Sequence, residues 1–322
     1  MSRTEILRQP SALLLIALIG AVPGSGTAQN YPAKPVRIVA SVAGTGSDFV
    51  MRLVAQGLSV NFGQQVVVDN RGIVGVETVA RSTPDGYTLL LYGSPLWLSP
   101  LLRENLPWDV FRDFAPITLT NSSPSIVVVH PSLPVKSVRD LIALAKSKPR
   151  QLNYGSGSSG SSTHLAAELF KHMAGINVVR IPYKGVGQAL GFVMSGELQL
   201  IIPNSATGMP YVKAGRLRAL AVASSAPSVL APGLPTVTAS GLPGYESITM
   251  QGLFAPARTP EALISRLNQE LVKVLGSADV KASFLNAGGE AGGSSPEEFA
   301  AKIKSEIERM SKVVKAAGIR EE

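Results

Sequence analysis

The chain has 322 residues, no cysteine, three histidines and a formal charge of +8. The absence of cysteine excludes disulfides, thiolate nucleophiles and cysteine-ligated metals, and three histidines argue against a multi-histidine metal site. The positive balance would draw in anionic solutes. However, no Lys/Arg cluster is interleaved with aromatic residues, so the charge does not point to nucleic acid.

At the start, Arg3 and Arg8 accompany an apolar stretch over 11–22 that is shorter than the ~20 residues a membrane span needs. Gly26-Thr27-Ala28 offers small residues at cleavage positions. The pattern predicts a signal peptide over residues 1–28, cleaved near Ala28, and export to a bacterial periplasm. No Cys follows the apolar stretch, which excludes a lipid anchor. The remainder is long for one core, and its 45% hydrophobic content suits two well-filled domains.

Apolar runs then alternate with helix-like patterns, which predicts an α/β fold with parallel sheets. Strands are predicted over 36–42, 65–69, 88–92, 125–130, 152–154, 178–181, 198–202, 219–223 and 252–255. Ser137 with Asp140 reads as a capping box. Thr259-Pro260-Glu261 and Ser295-Pro296-Glu297 each read as a cap, a first-turn proline and a first-turn acid. Proline and glycine cluster over 227–243, predicting a long loop before the return strand.

Two segments share one plan of apolar run, Gly/Ser/Thr loop and amphipathic helix. Their loops are Gly44-Thr45-Gly46-Ser47 and Gly155-Ser156-Gly157-Ser158-Ser159-Gly160-Ser161-Ser162. A glycine-rich turn into a helix aims backbone N–H groups and the positive helix end at one point, which suits an anion. Two such turns predict two lobes that grip one anionic ligand. In the second loop the hydroxyls of Ser156, Ser159, Ser161 and Ser162 add donors for a carboxylate. Each hydrogen bond to a charged group nets ~1.5–3 kcal/mol, so three or four reach micromolar binding, about −8 kcal/mol, with no buried arginine required. The competing reading is that these serines only satisfy a helix start. Asp48 fits either an N-cap or a ligand contact, and Arg71 ties a turn.

Catalysis finds little support. Gly155, Gly157 and Gly160 match G-x-G-x-x-G, but the following strand, Asn177-Val178-Val179-Arg180-Ile181-Pro182, lacks the acid a dinucleotide site needs. No G-x-S-x-G frame is present. His164 reads as a capping or packing residue, and no carboxylate pair or metal-ligand cluster stands out.

Several strings are more specific than the glycine motifs. They include Tyr31-Pro32-Ala33-Lys34-Pro35, Pro84-Asp85-Gly86-Tyr87-Thr88-Leu89-Leu90, Asn153-Tyr154-Gly155-Ser156 and His164-Leu165-Ala166-Ala167-Glu168-Leu169-Phe170. Pro182-Tyr183-Lys184-Gly185, Lys213-Ala214-Gly215-Arg216-Leu217-Arg218, Gly241-Leu242-Pro243-Gly244-Tyr245 and Gly252-Leu253-Phe254-Ala255-Pro256-Ala257 complete the set. In these the chain resembles the periplasmic solute-binding proteins of tripartite tricarboxylate transporters, the Bug-type receptors.

The resemblance implies a two-lobed periplasmic binding protein fold, type II-like, with two hinge-crossing strands near 125–131 and 250–257. It places lobe 1 at 29–129 plus 250–322 and lobe 2 at 130–249. It implies a monomer that holds a small organic carboxylate, often through ordered water, and delivers it to a membrane permease of a large and a small subunit. No cofactor and no catalysis are implied. By position, Ser156 to Ser162 match the carboxylate-gripping loop and Gly44, Thr45, Gly46, Ser47 and Asp48 match the first glycine loop. Ser94, Asn204 and Ser205 fall where the family lines its cleft.

There are departures. Ser41 replaces a bulky ring, and the loop after Arg71 is shortened to Gly72-Ile73-Val74-Gly75. A tryptophan is missing from Thr249-Met250-Gln251. Gly191, Gln199 and Pro203 stand where acids are common, which predicts a carboxylate without a positive charge, aromatic or dicarboxylic. Alternative roles are a periplasmic ligand sensor signalling to a partner protein, or an exported enzyme using the Gly/Ser loop.

Overall fold

The computed structural model describes residues 31–40 and 46–320. The described residues open with β1 (Val36–Ala40), α1 (Gly46–Phe62), β2 (Val66–Asn70), α2 (Val74–Ala80) and β3 (Thr88–Gly93). β1 lies between β2 and β3 and pairs with both in parallel, as right-handed strand–helix–strand units require. Next come α3 (Pro95–Leu102), the short α4 (Val110–Asp113) and β4 (Phe114–Pro124).

A second sheet follows. Its elements are β5 (Ile126–Val129), α5 (Val138–Ser147), β6 (Asn153–Ser156), α6 (Ser162–Ala174), β7 (Val179–Pro182), α7 (Val186–Met194), β8 (Leu200–Ile201), α8 (Ser205–Lys213) and β9 (Arg218–Val222). The chain then returns through β10 (Ile248–Pro256), α9 (Glu261–Gly276), α10 (Ala278–Asn286), β11 (Glu290–Ala291) and α11 (Pro296–Ala317). The first sheet has the order β11-β4-β10-β3-β1-β2 and the second β7-β6-β8-β5-β9.

Both sheets are mixed, which corrects the expectation of parallel sheets. β10 runs antiparallel to β3 and β4, and β5 runs antiparallel to β8 and β9. The alternation of strand and helix fixes direction only within consecutive units; β5 and β10 arrive from the other sheet and are free of that constraint. β4 was not predicted. It carries Pro116, Asn121, Ser122 and Ser123 in place of an apolar run, and its buried Thr118 and Thr120 are tolerated because their hydroxyls donate to Ser294 O at 2.8 Å and Gln251 O at 3.0 Å.

The switch between sheets is compact. β5 lies ahead of the expected boundary at 129 yet pairs in the second sheet, so the outgoing chain changes sheets at Ser125. The return passes through Ser247, and the two crossings touch. Ser125 N donates to Ser247 O at 2.8 Å, Ala223 N to Ser125 O at 2.8 Å and Ser247 N to Ala223 O at 2.9 Å. The two serine hydroxyls lie 3.1 Å apart.

α11 ties the C-terminal segment to the first sheet. Ser295 and Glu298 form a capping box, as the sequence predicts. Phe299 then packs closely on β10 at Gly252, where a Cβ would come within 2.1 Å of the ring. Phe299 also packs against Phe254 at 5.1 Å and edge-on against Trp97 at 6.2 Å. Ser137 caps α5 as expected, accepting from Asp140 N, but the Asp140 carboxylate takes Lys136 N instead of completing the box. α9 starts one residue later than predicted. Thr259 does not cap it, since its hydroxyl donates back to Pro256 O at 2.7 Å.

Candidate functional site

The second Gly/Ser loop joins β6 to α6, and much of its polar chemistry is turned inward. Ser156 is fully buried; its hydroxyl donates to Gly157 O at 2.9 Å and accepts from Arg180 Nε at 2.8 Å. The same guanidinium donates to Ser159 Oγ at 3.3 Å and Gly157 O at 3.1 Å. Gly157 N donates to Thr163 Oγ1 at 2.9 Å. Gly160 takes a left-handed φ of 75°, which suits glycine alone at low strain, and its N–H donates to His164 Nδ1 at 3.1 Å.

His164 is buried. Burial first, and then the Arg180 charge, push its pKa down to about 4, so the ring is neutral and able to accept that bond. Its capping and packing role is the one the sequence predicts. Ser161 caps α6, accepting from His164 N at 3.4 Å. Ser156 therefore lines neither cavity beside the loop, although it stands among the expected ligand contacts. Ser159 is held by Arg180. Ser158 and Ser162 are exposed, and among the described residues neither hydroxyl is hydrogen-bonded.

On one side of this loop lies a cavity of about 180 Å³. Three helices begin in its wall. Their N-caps are Ser161 for α6, Gly185 for α7 and Asn204 for α8. Each helix start carries roughly half a positive charge in unsatisfied N–H groups, and α7 has no side-chain cap. Lys184 lines the same space, with Ser158, Ser162 and Thr207. The Asn204 side-chain oxygen Oδ1 accepts from Thr207 N at 2.9 Å and Thr207 Oγ1 at 2.6 Å. Ser205 lines neither this cavity nor the next. It is buried against Ser123, hydroxyl to hydroxyl at 3.2 Å, because it faces β4 across the sheet switch.

On the other side of the loop lies a cavity of about 330 Å³ between α3, α6 and α11. Ser158, Ser159, Gly160, Ser161 and Ser162 form one wall and Ser94 part of the opposite one. Ser94 is buried, and its hydroxyl donates to the Glu306 carboxyl at 3.3 Å. Trp97 Nε1 donates to the same carboxyl at 2.8 Å. Burial pushes the Glu306 pKa up to about 7, against the opposing pull of Trp97, Arg309 and Ser94. Arg309 pairs with Glu246 at 3.4 Å.

The first glycine loop is described only in part. Ser41, Gly44 and Thr45 lie outside the described residues, and Gly46 and Ser47 open α1. Asp48 is the third residue of that helix and not its cap. Its carboxylate accepts from Arg52 Nη2 at 3.2 Å and Asn70 Nδ2 at 3.0 Å. Arg71 pairs with Asp69 at 2.7 Å. Lys184, Gly185, Thr207, Glu246, Glu306 and Arg309 were not foreseen, and Ser158 only as part of the loop from Ser156 to Ser162. Lys184-Gly185 stood in a recognised string without a role. Glu306 and Arg309 sit on a helix whose sequence gives only an amphipathic stripe. Among the described residues no cluster of three or more His, Asp or Glu could hold a metal, and no helix is long and apolar enough to cross a membrane.

The profile of the "Tripartite tricarboxylate transporter family receptor" matches residues 50–319. Protein BugT of Bordetella pertussis is 32% identical over 317 residues, covering 94% of this chain and 97% of BugT. Among solved structures, R. palustris Rpa4515 with adipate superposes with a TM-score of 0.73 at 34% identity, covering 91% of this chain and 100% of that one. MatC from Rhodopseudomonas palustris with bound malate gives a TM-score of 0.69 at 25% identity, covering 88% and 100%. The α/β fold with two sheets is the two-lobed fold of periplasmic binding proteins, as expected. The chain belongs to the tripartite tricarboxylate transporter family of receptors.

Proposed function

We propose that this receptor works in the periplasm, captures a small carboxylate without a positive charge between its two lobes, and delivers it to a permease of a large and a small subunit. The observation that carries this reading is the cavity where α6, α7 and α8 all begin beside Lys184 and the exposed hydroxyls of Ser158 and Ser162. Three helix ends and an ammonium attract an anion, and N–H and hydroxyl donors suit carboxylate oxygens. The solved relatives hold adipate and malate, both carboxylates.

The lobes follow the two sheets and meet at the paired crossings of Ser125 and Ser247, so lobe 2 begins and ends a few residues before the expected 130–249. The first glycine loop, Ser41 to Asp48, then meets the ligand from the opposite lobe. A ligand touching both lobes stabilises the closed form by its differential contacts. Asn204 shapes the pocket, Gly160 turns the loop beside it, and Ser161 orients α6.

A thermal-shift and titration panel of organic acids tests the reading. At least one carboxylate should stabilise the protein, and Lys184→Met or Ser162→Ala should weaken that acid by ten-fold or more, as loss of a charge-assisted hydrogen bond predicts. A folded protein that no carboxylate stabilises refutes it. Release by osmotic shock of a chain starting near Gln29 tests the compartment. Loss of acid uptake in cells lacking the gene tests delivery.

A further inference from the structure

We infer that the larger cavity seats an uncharged apolar body on the ligand, so that the preferred acids are monocarboxylates carrying an aryl or branched hydrocarbon group. This rests on the carboxylate reading above and narrows it. The two cavities share Ser158, Ser161 and Ser162 in their walls. A carboxylate held at the start of α6 therefore has the larger space directly beside it.

That space is mostly hydrocarbon. Leu98 and Leu102 come from α3, Leu165 and Leu169 from α6, Ile248 from β10 and Met310 from α11. Its volume is about 330 Å³, whereas a dry apolar cavity of about 150 Å³ already holds benzene. A ring and a short linker fit. A four-carbon acid would leave apolar wall against water, which binding should remove.

The charged groups of this cavity point the same way. Glu246, Glu306 and Arg309 all line it. Arg309 is engaged with Glu246, and Glu306 with Trp97 and Ser94. The Glu246 carboxylate already offsets the one guanidinium, so no surplus positive charge is left for a second ligand carboxylate; the buried Arg309 Nε, which has no hydrogen-bond partner among the described residues, is left to a neutral acceptor.

Isothermal titration of the protein with phenylacetate, acetate and malonate tests this. Malonate carries a second carboxylate where phenylacetate carries the ring. Phenylacetate should bind at least ten-fold tighter than either. Met310→Phe fills the cavity from α11, and Ser99→Leu fills it independently from α3. Each should weaken phenylacetate by at least ten-fold and leave acetate unchanged. Equal binding of phenylacetate and acetate overturns the inference while sparing the carboxylate reading. Tighter malonate, or indifference of phenylacetate to both filled variants, does the same. Failure of all three acids, in a panel where no other carboxylate binds, overturns both.

Discussion

Replacing Glu306 with Gln should change how stability depends on pH. Glu306 is 6% exposed, and its pKa is raised from the ordinary 4.5 to about 7, chiefly by burial. Between those values the folded protein holds a proton that the unfolded chain has released, so stability falls as pH rises. The penalty is absent below 4.5, grows through the window and is complete above 7. A shift of this size corresponds to about 3 kcal/mol. Gln keeps an acceptor for Trp97 Nε1 and Ser94 Oγ but carries no charge, so the variant should lose that slope. Urea unfolding of both proteins across the window gives the difference directly. The variant should gain about 3 kcal/mol relative to wild type from the acid end to the neutral end. His164 has the opposite sign: its pKa is lowered to about 4, so its share of stability is lost as pH falls from 6.5. It is present in both proteins and cancels in the difference. Parallel curves would refute the argument that burial governs this carboxyl.

Arg180→Met should loosen the Gly/Ser loop by removing three hydrogen bonds at once. Ligand affinity should fall by more than ten-fold with a modest loss of melting temperature; an unchanged affinity would show that the loop holds its shape without the clamp. Gly252→Ala should be among the most damaging small substitutions. A Cβ there would meet the Phe299 ring at 2.1 Å, and overpacking of this kind costs about 1–3 kcal/mol or more; denaturant titration reads it.

The legible parts of this molecule were the local ones. The loop at Gly155 to Ser162, the caps Ser295 and Ser137 and most strands follow from neighbours in sequence, where period and cap chemistry operate. β4 escaped because its polar residues are satisfied by partners far along the chain, Ser294 and Gln251. Ser156 and Ser205 were misplaced for the same reason. A strand-to-helix serine can face a ligand or the interior, and here Arg180 and Ser123 decide. The role of Glu306 depends on α3 lying across from α11, which no local pattern encodes. Lys184 was visible as a letter, but only the meeting of three helix starts gives it a task.

The seam at Ser125 and Ser247 has a mechanical consequence. Both links between the sheets pass through one spot and are laced to each other by main-chain bonds. A rotation of one sheet against the other would bend both crossings together, because neither can move without the bonds it shares with its neighbour.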